Sequence, residues 1–123
     1  MTTESVTAKT TEKVAKSIFL VEDDLILANL INRKLIREGY ETTHVSCGED
    51  AINAITDQSP TFVLLDYRLP DMTAKDIVSM LHSHKIFVPF IIMTAHSEDS
   101  MVIDMMKMGA RDYSPALGIF TAR

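Results

Sequence analysis

"FVLLDYRLPDM", Phe62 to Met72, is an apolar run halted by one aspartate and followed by a proline turn. With Thr61 before it, "TFVLLD" reads as a buried strand of aromatic, β-branched and leucine residues, with Asp66 as the last residue. A carboxylate in that place sits at the rim of a sheet, where it must be solvated, paired or bound to metal. What Asp66 does there depends on which other acids the fold brings beside it.

On both sides of this stretch, short apolar runs alternate with helical patterns, the rhythm of βα units around a parallel sheet. "SIFLV" (Ser17 to Val21) reads as the first strand. The helix after it, starting near Leu25, has Leu27, Ala28, Leu30, Ile31 and Leu35 on one face, Asp24 as N-cap and Gly39 as its stop. "YETTHV" (Tyr40 to Val45) reads as strand two. Ser46 and Glu49 then have the spacing of a capping box for a helix that Ser59 and Pro60 end. A third helix near Ala74 to His84 uses Ile77, Val78 and Leu81, and strand four runs near Phe90 to Thr94. Ser97 fits as cap of a fourth helix with Met101, Val102, Met105 and Met106 inside and Gly109 beyond its end; "RDYS" makes a short fifth strand. At helical spacing these methionines read as core rather than as a binding stripe. Residues 1–17 are polar and Thr-rich, the composition of a disordered lead-in, which leaves 18–123 as the folded domain.

Composition narrows the function. The chain has 123 residues, 46% hydrophobic and 24% charged, enough for one core. A net charge of -5 with no cluster of Lys or Arg argues against direct nucleic-acid binding. The longest apolar run, "IFVPFIIM" (Ile86 to Met93), is too short to span a bilayer. The single cysteine, Cys47, permits neither an internal disulfide nor a thiolate zinc site, which suits a reducing, cytoplasmic setting. His44, His82, His84 and His96 are scattered and make no convincing zinc ligand set.

In parallel α/β sheets functional side chains collect beyond the carboxyl ends of the strands. Strand one ends in "VEDD", which delivers Glu22, Asp23 and Asp24; strand three ends in Asp66 and strand four in Thr94. If strands one and three are neighbours, Glu22 or Asp23 comes close to Asp66. Like charges at that distance raise one another's pKa unless a cation intervenes, and hard oxygen ligands with open positions suit Mg2+. A carboxylate can also act as a nucleophile toward phosphorus, so Asp66 is the candidate phosphoryl acceptor, with the Thr94 hydroxyl placed to donate to a phosphoryl oxygen. Asp24 reads as a helix cap favoured by the macrodipole.

"FLVEDD", "LLDYRLPDM", "IIMTA" and "MGARDY" stand in an order and spacing that resembles the response-regulator receiver domain of the CheY type, from Ile18 to about Tyr113. The resemblance implies a flavodoxin-like three-layer sandwich around a five-stranded parallel sheet of order 2-1-3-4-5, for which CheY is the type example. It implies Asp66 as phosphoacceptor, and Glu22 and Asp23 as the acidic pair, with Asp23 the main Mg2+ ligand. The backbone carbonyl of Arg68 becomes a further metal ligand and Thr94 the switch hydroxyl. Tyr113 matches the switch aromatic, beside the plainer reading of edge packing. The implied partners are a sensor histidine kinase or a phosphotransfer protein, and an output partner whose identity the motifs do not give.

Two features depart from the family pattern. Ala116 stands where the family has a lysine that contacts the phosphoryl group, and "SPALGIFTAR" leaves room for only a short turn where the family has its last helix. The second departure gives the expectation of a truncated last helix, of apolar surface such as Phe90 or Met105 left exposed, and of self-association. Ala74 replaces the glycine commonly found after "PDM". Two rival functions follow: a degenerate receiver acting as a phosphorylation-independent interaction module, and a phosphatase of the haloacid-dehalogenase type. The phosphatase would need a second Asp two residues after the nucleophile, where this chain has Arg68.

Overall fold

The computed structural model describes residues 16–94 and 99–115. Within them five strands alternate with four helices: β1 (Ser17–Val21), α1 (Leu25–Arg37), β2 (Glu41–Val45), α2 (Gly48–Gln58), β3 (Phe62–Asp66), α3 (Ala74–Ser83), β4 (Phe90–Thr94), α4 (Asp99–Lys107) and β5 (Asp112–Pro115). The strands form one parallel sheet of order β2-β1-β3-β4-β5. This is the expected flavodoxin-like arrangement. β1 starts at Ser17, the last residue of the expected lead-in; residues 1–15 lie outside the described residues. Among the described residues no helix is long and apolar enough to cross a membrane.

Side-chain alternation along the strands divides the core in two. Phe19 and Val21 of β1, Val63 and Leu65 of β3, and Phe90 and Ile92 of β4 face α2, α3 and α4, where Ala51, Ile55, Ile77, Val78, Leu81 and Met105 complete the larger cluster. Ile18, Leu20, Leu64 and Met93 face the other way and meet Ala28 and Ile31 of α1. Three helices therefore cover one face, while α1 packs on the other.

That division corrects two expectations. Phe90 and Met105 are not exposed: they are 4% and 1% accessible, because Phe90 pairs with Val63 and points with it into the larger cluster. Among the described residues an apolar cleft of about 410 Å³ lies instead on the α1 side, lined by Lys16, Ile18, Leu35, Tyr40, Thr61, Phe62 and Leu64. Leu30, expected inside, is 44% exposed. Each helical residue turns about 100°, so Leu30 falls on the flank of the arc defined by Leu27, Ala28, Ile31 and Leu35.

The helix ends show which local signals act. The Asp24 Oδ1 accepts from the N–H groups of Ile26 and Leu27 at 3.0 and 3.1 Å, the expected cap of α1, and Gly39 has a φ of +99° just past its end. Ser59, with φ 47°, closes α2 in the left-handed conformation before Pro60. The Ser46–Glu49 capping box does not form. The N-cap of α2 is Cys47, which makes no side-chain cap, and Asp71 fills that role from a distant loop. A capping box does form at α3, between Thr73 and Asp76. In α4, Met101 and Met105 are buried, Val102 is partly buried and Met106 is 42% exposed. Ser97 and His96 lie outside the described residues, as do Ala116 and the segment expected to hold the last helix.

Candidate functional site

The register of the sheet assembles the acids. Val21 pairs with Leu65, so Glu22, the next residue, stands level with Asp66. The Glu22 N–H donates to the Val45 carbonyl at 3.0 Å and so extends the ladder one step past β1. Asp66 pairs with Met93, and Thr94 follows at the carboxyl end of β4, 5% exposed. Carboxylate oxygens of Glu22, Asp23 and Asp66 all lie within 4.8 Å of one another. The ends of β1 and β3 bring their acids together, as the sequence led us to expect.

The three acids differ in surroundings. Glu22 is 3% exposed, and its Oε2 accepts from the Asp24 N–H at 2.9 Å. Burial pushes its carboxyl up to about 8, helped by the charges of Asp66 and Asp23, while the Asp24 N–H opposes the shift. Burial also raises Asp66, to about 6, against the bond it accepts from Glu22 and the backbone N–H groups of Tyr67 and Arg68. Both carboxyls are thus pushed toward their neutral forms, and a side-chain hydrogen bond links them. Asp23 is exposed at the mouth of the cluster.

Two desolvated, repelling carboxyls beside a third are a set of hard oxygens that a divalent cation would relieve. The donor chemistry fits Mg2+, which takes a few carboxylates and keeps open positions for water or phosphate oxygens. Any such ion would be held by Glu22, Asp23 and Asp66.

The loop after β3 is tightly tied. The Tyr67 N–H donates to the Met93 carbonyl, the Ala74 N–H donates to the Tyr67 carbonyl at 2.7 Å, and Arg68 forms an antiparallel bridge with Thr73. Arg68, two residues past Asp66, carries its guanidinium carbon 5.7 Å from the centre of the Tyr67 ring. Tyr113 is not part of the acid cluster. It pairs with Ile92 on the edge strand and is 42% exposed.

Two residues that sequence reading did not assign to the site support its frame. The His44 Nε2 donates to the Glu22 carbonyl at 2.7 Å, and the Asp71 carboxylate accepts from the N–H groups of Gly48 and Glu49. His44 carries a faint signal, because it stands near the end of the strand beside β1. Asp71 carries none: its partners are more than twenty residues away along the chain.

Comparison with known proteins agrees with this geometry. The family described as response regulator receiver domain matches residues 18–114. The regulatory protein LuxO of Vibrio vulnificus is 35% identical over 94 residues, covering 76% of this chain and 21% of LuxO. The chain thus spans about a fifth of the length of such relatives. A signal receiver domain from Vibrio parahaemolyticus superposes with a TM-score of 0.79 at 31% identity, covering 89% of this chain and 87% of that one. The BeF3-activated N-terminal receiver domain of Klebsiella pneumoniae RstA gives 0.76 at 27% identity, covering 87% and 93%. The chain belongs to the response regulator receiver domain family of two-component signalling.

Proposed function

We propose that this receiver domain takes a phosphoryl group onto Asp66 from the phosphohistidine of a sensor histidine kinase or phosphotransfer protein, and signals by a change of conformation. The observation that carries the reading is Asp66 at the end of β3 with the Glu22 and Asp23 oxygens within 4.8 Å of its own. An Asp66 carboxylate oxygen attacks phosphorus, a P–O bond forms, the P–N bond to the donor imidazole breaks, and the imidazole leaves with a proton. Bound Mg2+ would neutralise charge on the phosphoryl oxygens. A bound cation would favour the charged forms of both Glu22 and Asp66, which burial alone pushes toward neutrality. Asp23, at the open side, is the main ligand, and the Arg68 carbonyl is the proposed further one. Thr94 donates its hydroxyl to a phosphoryl oxygen. Tyr113, exposed beside Thr94's strand, is the proposed reporter of that contact. The domain assists its own phosphorylation and dephosphorylation and is not otherwise an enzyme. The cytoplasm suits a partner of this kind.

The test is incubation with a small phosphodonor and Mg2+, followed by hydroxylamine. An adduct that hydroxylamine removes is an acyl phosphate, and a hydroxylamine-resistant adduct would place the group elsewhere. Ala116, where the family has a lysine, favours a second reading: a degenerate receiver that works through protein contacts alone. Complete failure to form the adduct would select it. The phosphatase reading loses its acid/base group, since Arg68 occupies the required position.

A further inference from the structure

The loop from Tyr67 to Thr73 carries the residue proposed to complete the cation site, and its tip is fastened to a helix that contributes nothing else to that site. Asp71 uses both carboxylate oxygens: Oδ1 accepts from the Gly48 N–H at 2.8 Å and Oδ2 from the Glu49 N–H at 3.0 Å. These are two of the N–H groups that the start of α2 leaves without a helical partner, and Cys47 at the N-cap offers no side-chain acceptor. The same two donors hold the Asp71 carboxyl below the usual carboxylate range. Next to it, Met72 packs so closely on buried Gly48 that a Cβ there would lie 2.3 Å from Met72 Cγ. The loop is closed on itself by the Leu69 N–H bond to the Met72 carbonyl at 3.1 Å, and its base is tied to β4 and α3 through Tyr67. Arg68 therefore sits between a backbone anchor at the sheet and a side-chain anchor at α2.

We propose that Asp71 is a positioning residue: by capping α2 it fixes the tip of the loop between β3 and α3, and through it sets Arg68 for binding a divalent cation. The inference rests on the reading of Glu22, Asp23 and Asp66 as a cation site. Losing Asp71 strips the cap from α2 and frees the tip, so the cation meets a loop it must order itself. Supporting groups of this kind are worth about 10- to 100-fold in metal affinity, and a backbone ligand held at one remove belongs at the low end.

The test is a titration with MgCl2, followed by amide chemical shifts, of the wild type, Asp71→Ala, Asp71→Asn and Gly48→Ala, with hydrogen exchange at the Gly48 and Glu49 amides. Asp71→Ala should speed exchange at both amides and weaken Mg2+ binding about tenfold. Asp71→Asn keeps one acceptor oxygen but turns an NH2 donor toward the other amide, so it should protect one of the two amides and recover only part of that loss. Gly48→Ala keeps every charge and should weaken Mg2+ by displacing Met72. Faster exchange in Asp71→Ala with wild-type Mg2+ affinity would overturn the proposal, leaving a cap that serves only the helix. Weakening by Asp71→Ala with wild-type affinity in Gly48→Ala would also overturn it, in favour of a long-range charge effect. A wild type that does not bind Mg2+ would remove the cation site itself, and the wild-type titration alone shows that case.

Discussion

Without a cation, the acid cluster should make the folded protein more stable as the pH falls. Glu22 is raised from 4.5 to about 8 and Asp66 from 3.8 to about 6, in both cases chiefly by burial. A folded-state pKa above the unfolded value means that the native state binds the proton more tightly. The contribution is fully present below the unfolded values and is lost as the pH rises through about 6 and then about 8. One pKa unit corresponds to about 1.4 kcal/mol, but the cluster opens to solvent at Asp23, and screening reduces the effect to roughly 1 to 2 kcal/mol. For a domain of this size that is a shift in Tm of roughly 4 to 8 °C. The assay is thermal unfolding by circular dichroism in EDTA from pH 5.5 to 8.5, for the wild type and the Glu22→Gln/Asp66→Asn double variant, which removes both titrating carboxyls. The wild type should lose Tm steadily across this range relative to the double variant, and MgCl2 at pH 8 should restore most of the loss. A difference between the two proteins that is flat in pH, or grows in favour of the wild type as pH rises, would refute the reasoning.

Asp23→Asn should weaken Mg2+ in a calorimetric titration far more than Asp24→Asn, because Asp24 spends its oxygen on the N–H groups of Ile26 and Leu27; equal losses would contradict the assignment. Asp24→Ala should instead lower stability by about 1 kcal/mol in urea unfolding through loss of the α1 cap. Met105→Ala, at a site 1% exposed, should cost about 2 to 5 kcal/mol in the same experiment, whereas Met106→Ala on the exposed side of α4 should fall within about 0.5 kcal/mol of wild type.

The parts of the fold that could be read from the chain are those where the cause is local. Continuous apolar runs mark β1 and β4, and β3 to within one residue of its start, and Asp24 marks the start of α1 because its partners lie two and three residues away. The acids of the site were legible for a related reason: each ends a strand, and the register that aligns Glu22 with Asp66 follows once β1 and β3 are neighbours. What could not be read depends on contacts distant in sequence. Ser46 and Glu49 have the spacing of a capping box, yet Asp71 reaches the N–H groups of α2 first and leaves the box unformed. The position of the apolar opening was misjudged because helical period alone does not say which sheet face a helix covers. Phe90 is sealed by the three-helix layer, whereas Phe62 lines the cleft on the opposite face, where α1 is the one helix among the described residues.

The proposed reaction puts the phosphoryl group on Asp66 with the help of a cation held by its acidic neighbours. Intact mass after incubation with a small phosphodonor tests it directly, for the wild type and Asp66→Asn, each with MgCl2 and with EDTA. One added phosphoryl group is expected on the wild type in MgCl2, little in EDTA, and none on Asp66→Asn in either. An equal adduct on Asp66→Asn, or a wild-type adduct indifferent to Mg2+, would contradict it.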